Sequence, residues 1–84
     1  MEITRNVHGV PAWLMRDYLI ELGGTEVGTD YVSGDGWKAR FARIDSYKIG
    51  SISVGRIRLD IEGEQNVIES LLPRLEIKLM RGGG

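Results

Sequence analysis

The sequence predicts an α+β domain with two helices on one face of a mostly antiparallel sheet, and three observations carry that prediction. In residues 51–62 the apolar Ile57, Leu59 and Ile61 alternate with Arg58, Asp60 and Glu62, a period of two that sends one face to a core and the other to water. A second run sets Trp37, Ala39 and Phe41 on one parity against Lys38, Arg40 and Ala42 on the other. The third is a helical stripe over residues 12–22, where Leu14, Met15, Tyr18, Leu19 and Leu22 recur at three- and four-residue steps while Arg16, Asp17 and Glu21 fall opposite.

Taken in order, the chain opens with a short strand, Glu2 to Val7, in which Ile3 and Val7 share a parity that Arg5 breaks. Pro11 suits the first turn of the helix that follows, because its missing N–H would have no partner there. Gly23-Gly24 closes that helix, and Trp13 near its start either extends the apolar stripe or lies exposed across the sheet rim. Residues 25–32 read as a strand with Val27 and Tyr31 on one parity and Val32 on the other. Ser33-Gly34-Asp35-Gly36 turns the chain into the strand 37–45, giving an antiparallel hairpin. Residues 46–51 link it to the strand 51–62, whose alternation slips at Gly55 as a bulge or turn would make it. A second helix spans 64–72, with Glu64 at its positive end and Pro73 marking its stop. Leu75, Ile77 and Leu79 then alternate with Glu76, Lys78 and Met80 as a final strand, 75–80.

The resulting order, β-α-β-β-β-α-β, corresponds to a two-layer sandwich close to the ferredoxin-like pattern with an extra strand, residues 1–81 forming one domain and 82–84 a flexible glycine tail. Eighty-four residues suffice for one modest core. The absence of cysteine excludes disulfides, thiolate chemistry and cysteine-ligated metal, and makes a reducing cytoplasm the expected location. No apolar run is long enough for a membrane span, and no apolar segment near the N-terminus reads as a signal peptide. The single histidine, His8, carries no attached serine, cysteine or carboxylate motif, and the dispersed glycines form no phosphate loop. Neither a catalytic set nor a cofactor is therefore expected.

Charge is spread unevenly within a net of −1. Residues 36–58 hold six cations, Lys38, Arg40, Arg43, Lys48, Arg56 and Arg58, against Asp45 alone. On the expected fold, Lys38, Arg40, Arg56, Arg58 and Lys78 point from the helix-free sheet face and form a candidate anion-binding patch. Trp37 and Phe41 have the opposite parity and would be buried, which weighs against stacking of bases and hence against nucleic acid. Asp60, Glu62 and Glu76 share the cations' side, so the plain alternative is a solvated face of cross-strand pairs. Val32, Ile44 and Met80 have parities that place apolar area outside the core, and a homodimer through the uncovered face is the expected assembly. The leading expectation is accordingly a non-catalytic oligomeric module that binds a protein or an anionic ligand.

The end of the chain supplies the alternative. Leu75 to Arg81 followed by Gly82-Gly83-Gly84 resembles the terminus of ubiquitin-like modifiers and sulfur carriers, whose C-terminal glycine is adenylated and passed on as a thioester or thiocarboxylate. That resemblance implies a carrier role for Gly83 and Gly84; the strand order differs, since those carriers begin with a hairpin and this chain places a helix after its first strand. Residues 9–24, GVPAWLMRDYLIELGG, and 73–83, PRLEIKLMRGG, resemble those of a short bacterial protein family of unknown function, which implies a compact α+β domain and no site residues.

Overall fold

The computed structural model describes residues 1–82, with side chains except those of residues 45–49, 52–54 and 81–82. It contains β1 (Glu2–His8), α1 (Ala12–Glu21), β2 (Thr25–Gly28), β3 (Tyr31–Gly34), β4 (Trp37–Ile49), β5 (Ile52–Gly63) and α2 (Gln65–Gly82). One five-stranded sheet runs in the order β1-β5-β4-β3-β2, with every neighbouring pair antiparallel. Both helices cover the same face, so the α+β two-layer arrangement is as the sequence predicts.

The alternating runs dictate which face that is. Trp37, Ala39 and Phe41 of β4 and Ile57, Leu59 and Ile61 of β5 are buried together with Val7 of β1, Met15 and Leu19 of α1, and Ile68, Leu71 and Leu75 of α2. Removing this apolar area from water, at roughly 25 cal/mol per Å², is the main force holding the two layers together. Arg5, whose parity points inward, forms an ion pair with Glu76 of α2. An inward charge on an edge strand is a recognised guard against further strand pairing, and it explains the break in the alternation of β1.

Three segments differ from the sequence reading. Residues 75–80 are helical, so α2 continues through Pro73 to Gly82 and no sixth strand exists among the described residues. The spacing that wins is Ile68, Leu71, Leu75 and Leu79, steps of three and four; Ile77, on which the alternation depended, is 54% exposed. Glu76 and Lys78 consequently lie on the helix layer and not on the sheet's open face. The run 25–32 is two strands, β2 and β3, which pair with each other across Thr29 and Asp30. Val32 is fully buried in the core and does not add apolar area outside it.

The third is the linker 46–51, which belongs to a long β4–β5 hairpin turning at Gly50 and Ser51. Ile44 pairs with Arg56 and Tyr47 with Val54, so two residues of β4 face Gly55 alone. That is a bulge, at the place where the alternation slips, with its extra residue on the facing strand. The expected turn into β4 is present: Gly34 pairs with Trp37, and Gly36 takes the positive φ of 81° that a two-residue connection needs.

Candidate functional surfaces

Three regions hold the residues singled out above. The first is the open face of the sheet. Tertiary pairing sets Lys38 opposite Glu62 and Arg40 opposite Asp60, while Glu2 and Thr4 of β1 sit on the other side of the same two acids. Thr4 donates its hydroxyl to Asp60 Oδ1 at 2.6 Å, and Arg58 Nε lies 3.3 Å from the same carboxylate. The Thr4 hydrogen bond, opposed by a little burial and reinforced by the Arg58 charge, holds the Asp60 carboxyl below its usual range. Arg40 stacks over the Tyr31 ring at 5.1 Å.

Lys38, Arg40 and Arg58 thus meet Glu2, Asp60 and Glu62 around one shallow depression, three charges of each sign. Self-neutralisation leaves little field with which to hold an anion. Lys78 is not part of this surface: its ammonium contacts Glu21 Oε2 of α1 at 2.6 Å and lies over Tyr18, clamping the two helices together. Met80 is exposed on α2, and Ile44 is half-buried on β4.

Arg56 belongs to the second region, at the opposite end of β5 from Glu62. A cleft of about 600 Å³ opens between the start of α1, the β2–β3 turn and the hairpin arms. Its walls carry Arg16 of α1, Arg43 of β4 and Arg56 of β5 beside Val10, Pro11 and Trp13. Trp13 is 58% exposed, so it lies out at the rim and does not extend the core stripe. Pro11 caps α1 with no side-chain hydrogen bond, and the first turn holds no acidic residue. Sequence reading singled out Arg56 but missed Arg16 and Arg43 as its companions, because strands and helix far apart in the chain bring them together. The local signal was Trp13, two residues after Pro11, for which the sequence left open either a place in the apolar stripe or an exposed one at the sheet rim.

The third region is the C-terminus. Gly82 closes α2 and so belongs to the helix, while Gly83 and Gly84, the candidate carrier residues, lie outside the described residues. Among the described residues no group of histidine, aspartate and glutamate side chains is placed to hold a metal ion, and no helix is long and apolar enough to cross a membrane.

Comparison with known families adds one finding. The family model described as archaeal MoaD-like protein matches residues 3–84, from the first strand through the last glycine. The bacterial family suggested by residues 9–24 and 73–83 is not the one that matches. No curated protein matches the chain.

Proposed function

Since the chain belongs to the archaeal MoaD-like protein family, we propose that it is a sulfur-carrier-type protein whose working group is the carboxylate of Gly84, with Gly83 beside it. The observation that carries this reading is the extent of the match, which covers the folded domain and continues into the glycines. Glycine suits the task because a backbone without side chains passes through a narrow enzyme channel that any larger residue would block.

The chemistry asks little of the domain itself. A carboxylate oxygen attacks the α-phosphorus of ATP, diphosphate leaves, and an acyl-adenylate forms. A sulfur nucleophile then attacks the acyl carbon and AMP leaves, giving a thioester if the nucleophile is a cysteine thiolate and a thiocarboxylate if it is hydrosulfide. With no cysteine in the chain, the sulfur atom comes from elsewhere and no internal thiol competes for the activated carbonyl. The chain is then the substrate of an activating enzyme and not a catalyst. Its folded part supplies a surface to be recognised and a rigid base, α2, which ends at Gly82.

The test is intact-mass measurement of the full chain after incubation with ATP, magnesium, a sulfide source and candidate activating enzymes from the same organism. The expected product carries sulfur in place of one carboxylate oxygen, and deletion of Gly84 abolishes it. An unchanged mass with every such enzyme would overturn the reading.

A further inference from the structure

We infer that the outer side of the second half of α2, formed by Pro73, Ile77 and Met80, is the surface by which an ATP-dependent activating enzyme holds this domain, an assignment that rests on the carrier reading above.

The outer side of α2 changes character along the helix. Its first half exposes Gln65, Asn66, Glu69 and Ser70, all polar, as a helix face turned to water normally does. Beyond them the exposed residues are Pro73, Arg74, Ile77 and Met80, three of them apolar. Steps of four and three set Pro73, Ile77 and Met80 on one side, away from the core contacts of Leu71, Leu75 and Leu79. Ile77 is 54% exposed and Met80 77%, the largest exposure of any large apolar side chain among the described residues. Single apolar residues in water are ordinary, but three in register have the spacing by which a helix enters an apolar groove on a partner. Met80 also borders an open depression of about 460 Å³ against β1, opposite Val7, which a projecting side chain of the partner can enter.

Chain length points to the occupant. Gly84 follows Met80 by four residues, which span at most about 14 Å even when fully extended. An enzyme that closes on the Gly84 carboxylate is therefore brought to the end of α2 where the apolar side chains are gathered. A second copy of the chain has no such tie to this end, and three side chains fall far short of the roughly 20–30 residues a side in a stable interface. They suit a partner that is also held through the terminus and is released after each transfer. The flexible thioether of Met80 fits that use, because it adapts to the contours of the surface it meets.

The test is the rate of loading, followed by intact mass, as a function of carrier concentration with whichever activating enzyme from the same organism loads the parent chain. In the double variant Ile77→Ala and Met80→Ala the half-saturating concentration should rise at least about tenfold while the maximal rate stays unchanged. Far-ultraviolet dichroism should match the parent, since both side chains are exposed. Val27→Ala, an equally bare site on β2 at the opposite edge of the sheet from β1, should load like the parent. A parent chain that no enzyme loads overturns the carrier reading and the docking surface with it. A parent that is loaded, with a double variant that half-saturates at the same concentration, overturns the docking surface alone. Sedimentation of the parent as a dimer and of the double variant as a monomer would overturn it in favour of a second copy.

Discussion

Gly63 stands where β5 ends against the turn that begins β4, and its replacement by alanine puts the packing of that corner to a quantitative test. A Cβ at Gly63 would lie 2.3 Å from the carbonyl oxygen of Gly36 and 2.8 Å from Cα of Trp37. Ordinary carbon–oxygen contacts sit near 3.3 Å, so one backbone has to retreat by about 1 Å. Gly36 cannot yield freely, because its carbonyl accepts the Glu64 N–H at 3.1 Å, the bond that leads the chain from β5 into α2. Overpacking of this kind costs about 1–3 kcal/mol, and partial loss of that hydrogen bond adds up to about 1 kcal/mol, which places Gly63→Ala near 3 kcal/mol. A domain of this length has roughly 4–13 kcal/mol in total, so the loss is large and should lower Tm by more than about 10 °C. Gly55→Ala is the internal control: open space surrounds its Cβ position, and its φ is not positive. There the reduced freedom of the unfolded chain should stabilise the fold by about 0.4–1 kcal/mol. Urea unfolding followed by tryptophan emission and far-ultraviolet dichroism would read both variants. Equal destabilisation by the two substitutions, or a Gly63→Ala midpoint like that of the parent, would refute the reasoning.

Three further outcomes follow from other parts of the structure. Pro73 lies inside α2 at an exposed position, so Pro73→Ala should raise both helical dichroism and stability, by up to about 3 kcal/mol; a loss of helix signal would restore the strand reading of residues 75–80. Leu59→Ala should cost about 2–5 kcal/mol by urea unfolding, since the side chain is fully buried between the helices and the centre of the sheet. For Asp60 the folded carboxyl is held below its unfolded value, so its contribution is present above the unfolded pKa and disappears as pH falls through the folded one. Asp60→Asn should therefore lose stability at pH 7, by less than about 1 kcal/mol because the group is exposed, and little at pH 2; a larger loss in acid would contradict the assignment.

How much of this was legible depended on whether the deciding interaction was local. The alternations of residues 37–41 and 57–61 survive into the structure because burial of one face selects period two at each position. Pro11, the stripe of α1 and the turn at Asp35-Gly36 are likewise local chemistry. Residues 75–80 were misread because Leu75, Ile77 and Leu79 satisfy a strand period as well as Leu71, Leu75 and Leu79 satisfy a helical one, and Pro73 argued for a stop. Packing against the sheet resolved that tie by burying Leu75 and leaving Ile77 in water. The surfaces were harder. Sequence parity placed Lys38, Arg40 and Arg58 correctly on the open face, yet only the strand register shows that Glu62 and Asp60 stand directly across from the first two. The cleft at α1 was beyond reach altogether, since no spacing rule joins Arg16, Arg43 and Arg56 before the chain is folded.

The way α2 is moored governs how far its end can travel. Lys78 is tied to Glu21 and Leu79 packs on the core, whereas Met80 is almost bare. Two fully extended residues span at most about 7 Å, and five, the number that follow Leu79 in the sequence, at most about 17 Å. On the carrier reading proposed above, an activating enzyme would need its reacting centre within that leash of the docked domain, and glycines inserted after Gly82 should rescue loading by an enzyme whose centre lies deeper.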